Sequence, residues 1–400
     1  MGFTDNIFVA LCALGCEKIA CNEIKKLGFT PLNRKIGRIF FSSKEELFLS
    51  VFKANYFLRS VDRIFLLLAR QKIRDFDSFF SLIYSIEWES FFTKDSHIII
   101  DKVSTFNSKL ASEHTLQTMA QKAICNRLCD KWHCKKLDIG KNQYTIRIYL
   151  DCDELFLCLD TSGEPLYKRG YRLKGGLAPI RESLATATLH IMQWKRKYPL
   201  HDAFAGSGTI PIEALYYALN VPAGINRSFA FETFNSFPRK SIENKIDKIK
   251  ENAIKNIRID CEIRISASDI DNSSIRIAKF NIQKACNLIE TLLLKYEIKN
   301  HITPPMIFQN SFEHLNLPHK ETMLLSNLPY GIRLSDEEKV ISLYKAIAKK
   351  IKDLKAFKLG FITNRKEIEK IFKKENKKLK IKEHPIRVGK LQTYLYILEQ

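Results

Sequence analysis

The sequence predicts a two-part fold: an α+β front half followed by an α/β domain built on a doubly wound parallel sheet. Three observations carry this expectation. From Pro179 onward, short apolar runs alternate with amphipathic helical stretches, the pattern of parallel βαβ units. Before Asp160 that alternation is broken by a hairpin signal, two alternating runs at 144–150 and 155–159 separated by Asp151-Cys152-Asp153-Glu154. Between the halves, Asp160-Thr161-Ser162-Gly163-Glu164-Pro165 has the composition of an exposed turn.

Four hundred residues with 45% hydrophobic content suffice for two or three cores. The first unit, 1–70, reads as a strand at 7–12, a helix at 15–26 stopped by Gly28, a strand at 38–41, a helix at 44–57 and a strand at 62–68. The second, 71–165, starts with a helix near Asp75 that places Phe76, Phe79, Phe80 and Ile83 on one side. It continues through a strand at 97–103 and a helix at 114–132 to the hairpin. Neither unit has a glycine-rich catalytic loop, so binding is the role expected of this half. The third unit, 166–400, opens with a helix at 179–194, a strand running into Asp202, a glycine loop and a helix at 209–219. A charged helix at 239–257, a strand at 263–268, a helix at 273–285 and strands at 306–309 and 323–326 follow. A helix at 336–350, a strand at 356–362, another helix, and two runs at 379–386 and 391–398 complete it.

The charge balance narrows the partner. Lys and Arg number 65 against 44 Asp and Glu, a net charge of +21 that points to a polyanion, nucleic acid first. Residues 341–390 hold 17 Lys and Arg against 5 Asp and Glu, so the excess is clustered rather than uniform. The stretch Leu166-Tyr167-Lys168-Arg169-Gly170-Tyr171-Arg172 interleaves cations with tyrosines. It reads either as a surface that stacks on bases and meets phosphates or as a packed hinge between the halves. No apolar stretch of 18 residues occurs, and no basic segment at the amino terminus leads into an apolar run. The expectation is a cytoplasmic protein with no membrane partner. The ten cysteines fit reduced thiols better than a disulfide scaffold. Cys12, Cys16 and Cys21, and then Cys125, Cys129, His133 and Cys134, lack the paired C-x-x-C spacing of a zinc site. Buried thiols are expected there, and no metal.

The most informative stretch is His201-Asp202-Ala203-Phe204-Ala205-Gly206-Ser207-Gly208-Thr209-Ile210-Pro211-Ile212-Glu213. Two glycines one residue apart after an acidic residue allow a tight turn that a ligand can approach closely. A phosphate-cradling P-loop needs a Lys that is absent after Gly208, and the dinucleotide fingerprint needs a small residue where Pro211 stands. What remains is the D-x-F-x-G-S-G-T loop that holds S-adenosylmethionine, a ligand without phosphate, or else an ordinary strand-to-helix turn. On the first reading Asp202, Phe204, Gly206, Gly208 and Thr209 belong to the cofactor site, with Asp202 orienting the loop or the methionine end.

Further polar groups follow expected strand ends, where open α/β sheets bind ligands. Asp269 offers two acceptor oxygens for the two hydroxyls of a ribose. Asp271 is a substitute for it or a cap of the next helix. Asn310 is placed to hold the adenine amine, or is a turn asparagine. After the strand at 323–326 comes Asn327-Leu328-Pro329-Tyr330. An exocyclic base amine is a poor nucleophile because its lone pair is delocalised into the ring. The Asn327 side-chain carbonyl and the Leu328 backbone carbonyl, presented by Pro329, can each accept one amine hydrogen and aim the lone pair at a sulfonium methyl. Tyr330 gives the base a flat face to stack on.

With these residues assembled, the sequence resembles the bacterial THUMP-domain RNA methyltransferases related to the 23S rRNA guanine-N2-methyltransferase. The resemblance runs through Leu11-Cys12-Ala13-Leu14-Gly15-Cys16-Glu17, Leu58-Arg59-Ser60-Val61-Asp62-Arg63, Lys168-Arg169-Gly170-Tyr171-Arg172 and Ala178-Pro179-Ile180-Arg181-Glu182-Ser183-Leu184-Ala185. It continues through the Asp202 loop, Asn226-Arg227-Ser228-Phe229-Ala230-Phe231-Glu232, Ser268-Asp269-Ile270-Asp271, and residues 327–334. It implies a ferredoxin-like unit (1–70) and a THUMP unit (71–165) that capture RNA, and a Rossmann-like S-adenosylmethionine-dependent domain (166–400) that methylates N2 of a guanine. Two positions depart from the family pattern: Leu328 stands where a Pro is usual, and Asn310 where an Asp is usual. DNA adenine-N6 methylation and a non-catalytic RNA-binding assembly factor are the competing functions.

Overall fold

The computed structural model describes residues 6–172, 179–330, 337–354, 356–388 and 391–399. Two seven-stranded sheets organise the chain. The first half runs β1 (Asn6–Leu11), α1 (Glu17–Lys26), β2 (Thr30–Lys35), β3 (Arg38–Ser43), α2 (Leu47–Phe57), β4 (Arg63–Lys72), α3 (Phe76–Ser85), β5 (Ser96–Phe106), α4 (Glu113–Trp132), β6 (Asn142–Asp151) and β7 (Glu154–Asp160). The second runs α5 (Glu182–Ile191), β8 (Leu200–Asp202), α6 (Thr209–Leu219), α7 (Arg239–Lys255), β9 (Ile265–Asp269), α8 (Asn272–Lys295) and β10 (Met306–Gln309). It ends with β11 (Thr322–Asn327), α9 (Glu337–Lys350), β12 (Ala356–Thr363), α10 (Glu367–Glu375), β13 (Lys380–Val388) and β14 (Leu391–Glu399).

The first sheet has the order β2-β3-β1-β4-β7-β6-β5. Residue 70 falls inside β4, which pairs antiparallel with β1 on one side and with β7 on the other. The two front units therefore share one sheet. Successive strand residues face opposite ways, so Phe8 and Ala10 join the core under α1–α4 while Val9 faces the other side. On that second side Phe65, Tyr149 and Phe156 lie beneath Arg147, Arg38 and Lys35, whose cationic groups sit 4.0–5.4 Å from the ring centroids.

The second sheet has the order β10-β9-β8-β11-β12-β14-β13. Strands β8 to β12 pair in parallel, β14 is antiparallel to β12, and β13 is antiparallel to β14. Both faces are covered, as a parallel sheet requires. Met323 and Leu325 of β11 pack with α5, α6 and α8, and Leu324 packs with α9 and α10. Strand order reverses at β8, which has β9 on one side and β11 on the other.

The halves lock together through residues 224–253. Phe229, Phe231, Phe234, Phe237, Ile242 and Ile246 are buried in the core of the first half, not the second. The Tyr144 hydroxyl donates to the Thr233 backbone carbonyl at 3.0 Å. The Gly224 amide donates to the Tyr56 carbonyl at 2.8 Å.

Two expectations are corrected by the structure, and one open alternative is decided. β2 has no counterpart in the periodicity of the sequence: it is a polar edge strand containing Pro31, mostly exposed and paired only with β3, so it shows no apolar alternation. α8 extends to Lys295 rather than 285, because Cys286, Ile289 and Leu293 continue its buried stripe. The stretch 166–172 is a packed hinge rather than a base-stacking surface. Arg169 and Tyr171 are buried, Tyr171 donating to Glu213 at 2.8 Å and Arg169 to the Leu166 carbonyl at 2.6 Å. Of the cysteines, Cys12, Cys16 and Cys21 are buried, whereas Cys125, Cys129 and Cys134 are only half-buried. Among the described residues no helix is long and apolar enough to cross a membrane.

A Cβ at Gly224 would stand 2.8 Å from the Phe229 ring and 2.9 Å from the Tyr56 Cα. Overpacking of this kind costs about 1–3 kcal/mol. Gly224→Ala should therefore lower the unfolding temperature, read by calorimetry; an unchanged transition would mean that the halves do not meet at Gly224.

Candidate active site

Four strand ends converge at the reversal point, and backbone donors tie them together. The Ala205 amide after β8 donates to the Ser268 carbonyl of β9 at 2.9 Å, and the Gly206 amide donates to the Asp269 carboxylate at 2.9 Å. The Asn310 amide after β10 donates to the Asp269 carbonyl at 3.0 Å. On the other flank the Ala203 amide donates to the Ser326 hydroxyl of β11 at 2.8 Å. Beneath the loop, His201 bridges Ser266 and Ser268 at 2.8 and 3.1 Å, and burial lowers its pKa to about 4, leaving a neutral imidazole.

The two glycines have different tasks. Gly208 (φ 81) opens α6, and a Cβ there would lie 3.3 Å from Ala278 of α8, so the second glycine permits close helix packing. Gly206 (φ 51) faces open space: a Cβ there would meet nothing nearer than the Phe204 carbonyl oxygen, 4.0 Å away. That is a cradle a side chain would fill. Phe204 stacks on Phe312, the centroids 5.6 Å apart. Thr209 is buried below the loop and accepts from Arg172 at 2.7 Å, so it braces the loop from behind.

The carboxylates divide their roles. Asp269 is half-buried and accepts from the Gly206 and Asp271 amides, one on each oxygen, which leaves each oxygen a further lone pair for a ligand. Asp271 turns to its own helix and accepts from the amides and hydroxyls of Ser273 and Ser274, bonds that hold its pKa well below the usual carboxylate range. The structure thus gives it the capping role. Asp202 is buried, accepts from the Phe204 amide at 3.1 Å, and has its pKa raised to about 7, by desolvation first. Asn310 is half-buried at the rim.

Asn327 ends β11, and its side-chain carbonyl accepts from the Tyr330 hydroxyl at 2.5 Å. The Leu328 side chain is buried among β11, β12 and α9 while its amide donates to the Ile362 carbonyl at 2.9 Å. The turn is held from below: Tyr344 donates to the Pro329 carbonyl at 3.0 Å, and Arg365 donates to the Tyr330 carbonyl at 3.3 Å. Residues 331–334 of the expected motif, like Ala178, lie outside the described residues. Sequence reasoning missed Ser326, Phe312, Tyr344, Arg365 and the bracing role of Arg172, which come from other elements. Ser326 alone left a signal, a polar residue at the end of an apolar strand.

A glycine turn, two carboxylates and a carbonyl-bearing turn thus meet at one edge of the sheet, and comparison with known proteins shows what the chain is similar to. Residues 169–394 match the family described as RMKL-like, methyltransferase domain. The chain belongs to that family and is a methyltransferase. Residues 7–65 match the RlmL ferredoxin-like domain. Among curated relatives, YpsC of Bacillus subtilis, named for RNA methylation, is 30% identical over 93% of this chain and 92% of its own length. The tRNA (guanine(6)-N2)-methyltransferase of Methanocaldococcus jannaschii is 26% identical over 85% of both chains. The ribosomal RNA large subunit methyltransferase K/L of Aliivibrio fischeri is 26% identical over 87% of this chain, which spans only 47% of that protein. The solved structure of SMU.472, complexed with SAH, superposes with a TM-score of 0.81 at 27% identity, covering 100% of this chain and 99% of that one.

The raised pKa of Asp202 has a sign that can be checked. Its folded value of about 7 exceeds the ordinary carboxylate value of 3.8, so the folded state holds the proton more tightly. Stability is favoured below about pH 4, falls as pH rises to about 7, and then levels, at up to about 1.4 kcal/mol per unit. Asp202→Asn keeps an acceptor without the charge. Its stability relative to wild type should rise between pH 5 and pH 8 in denaturant titrations; a pH-independent difference would show Asp202 to be solvated.

Proposed function

We propose that this methyltransferase transfers the methyl group of S-adenosylmethionine to the exocyclic N2 of a guanine in RNA, with 23S rRNA as the target. One observation carries the reading: the Asn327 carbonyl stands at the end of β11, directly across the reversal point from the clasp between Gly206 and Asp269. The cofactor supplies an electrophilic methyl on a sulfonium, so the chain needs to contribute position and acceptors only. Asp269 accepts the ribose hydroxyls, the open backbone at Gly206 lets the cofactor approach, and Asp202 faces its methionine end. Asn310 lies at the adenine side, where its amide side chain can serve in place of the more usual carboxylate.

On the substrate side, the amine donates one hydrogen to the Asn327 carbonyl, which keeps a lone pair beside the bond from Tyr330, and one to the Leu328 carbonyl. This draws the nitrogen towards a tetrahedral shape and points its lone pair at the methyl. Tyr330 combines two tasks, offering its ring to the base and its hydroxyl to Asn327. The Leu328 departure keeps the backbone carbonyl, and its buried side chain replaces the stiffness of a second proline with packing. The relatives named above for guanine-N2 and large-subunit rRNA methylation support the choice of base and polymer. We assign 1–70 as the ferredoxin-like unit, 71–165 as a THUMP unit for RNA capture and 166–400 as the catalytic unit, acting in the cytoplasm.

Labelled methyl transfer to rRNA from a strain lacking this protein, with DNA in parallel and nucleoside analysis of the product, tests the assignment. N2-methylguanosine in RNA is expected. N6-methyladenine in DNA, or cofactor binding without transfer to either polymer, would overturn it in favour of a DNA enzyme or an assembly factor. Within the site, Asn327→Ala should retain cofactor affinity by calorimetry and lose about 100-fold or more in kcat, as when one preorganised polar group is removed. Asp269→Ala should instead weaken cofactor binding about 10- to 100-fold, the loss of a charged hydrogen-bonding group. The reverse pattern would exchange their roles.

A further inference from the structure

At the end of the second sheet opposite the active site, two adjoining cavities of about 510 and 710 Å³ lie between the halves of the molecule. They share Lys26, Phe57, Asn220 and Arg258 and so form one trough. Its walls come from the carboxyl ends of α1 and α2 in the first half and of α5, α6 and α7 in the second. Lys195 and Arg196, which precede β8, and Arg258, which follows α7, line it and are exposed, and Lys53 and Lys255 extend it. Glu23 is the acidic residue of the lining, and the Ser60 amide already donates to it at 2.9 Å.

The decisive group is Arg59. The residue is 9% exposed and lines the inner wall, and among the described residues its guanidinium makes no hydrogen bond. Its backbone carbonyl is held by the Arg169 side chain, so the residue is fixed in place from behind. Glu23 and Glu213 act on its charge from the protein side, and its N–H donors, unbonded among the described residues, can take further acceptors from the trough. Helix carboxyl ends attract cations and account for part of this clustering. Lys53 and Lys255 are paired with Glu45 and Glu251; each helix end carries about half a negative charge, so the five ends together with Glu23 leave about one to two of the charges of Lys26, Arg59, Lys195, Arg196 and Arg258 without an offset. Phe57 and Tyr217 add ring surface to the same walls.

We propose that this trough is a binding site for a strand of phosphodiesters, the backbone of the RNA substrate, with Arg59 as the buried phosphate anchor; the choice of RNA rests on the function proposed above. Two adjoining cavities that both carry cations fit a strand better than a single ion. Helix α6, 11 residues and so about 16 Å long, separates Gly208 at the active site from Asn220 in the trough. Helix α6 itself is buried, so this is the least separation, and a strand that runs round the side of the molecule to occupy both places must be longer. The trough holds the RNA from behind, on the seam between the halves, and its contacts carry no base information.

The test is the salt dependence of binding to a 20-nucleotide oligouridylate, measured for wild type, for Lys195→Ala/Arg196→Ala/Arg258→Ala, and for a control of equal charge, Lys279→Ala/Lys295→Ala/Lys299→Ala. Each phosphate contact on a single strand contributes about 0.7 to the slope of log affinity against log salt, so the trough variant should lower the slope by about 2. The control should leave the slope near wild type, and calorimetry with S-adenosylmethionine should show the trough variant still folded. Arg59→Gln, checked in the same way, should weaken oligouridylate binding without changing cofactor affinity. An unchanged slope in the trough variant, or an equal fall in the control, would overturn the site. So would tight binding of inorganic pyrophosphate in the trough without any effect of the variant on oligouridylate, which would mark it as a pocket for a free phosphate ligand. Failure of the functional reading looks different: wild type would transfer no methyl to RNA while the slope difference persisted.

Discussion

The contact on which the active site depends is the bond from the Gly206 amide to the Asp269 carboxylate. It joins the first strand end to the second, and both partners are needed in specific states. The glycine must adopt a positive φ, and the carboxyl group accepts from two amides, one on each oxygen, while retaining capacity for a ligand. Around this clasp the other contacts are extensions of the same scheme. The Asn310 amide bonds to the Asp269 carbonyl, and the Ala203 amide reaches Ser326 on the far side of β8. A parallel sheet with a reversal in strand order brings these four ends together because neighbouring strands run in one direction and all finish at one edge.

The carbonyl-lined turn after β11 illustrates how rigidity is supplied from outside the motif. Leu328 places a buried side chain where the chain would otherwise be free to shift, and Tyr344 and Arg365 hold the backbone carbonyls of Pro329 and Tyr330. Tyr344 in turn bonds to Thr363 at the end of β12 at 2.8 Å. The geometry of this turn is therefore set by β11, β12 and α9, and an apolar residue at 328 is compatible with it.

The two halves are joined by more than a linker. The phenylalanines between 229 and 237 leave the second half and complete the core of the first, while the buried Arg169, Tyr171 and Glu213 close the seam from the other side. This explains why basic and aromatic residues at 166–172, which resemble a nucleic-acid surface in one dimension, are packed in three. A buried guanidinium requires acceptors, and the Leu166 and Arg59 carbonyls provide them. Within that stretch Lys168 and Gly170 remain exposed.

Local rules make part of this protein legible in one dimension: the alternation of strands and helices, the glycine turn after Asp202, and the polar residues at strand ends. These follow from periodicity and from the conformations that Gly, Pro, Asp and Asn favour, so they can be read without knowing what lies opposite. Features that depend on partners distant in the chain were settled by the fold. The edge strand β2 exists because β3 lies beside it, and Asp271 serves its helix because Ser273 and Ser274 reach it before any ligand does. Asp202 has its pKa raised because the surrounding strands exclude water, and Arg59 faces a trough because helices from both halves end around it. Burial and charge compensation are properties of a neighbourhood, and the fold alone creates the neighbourhood.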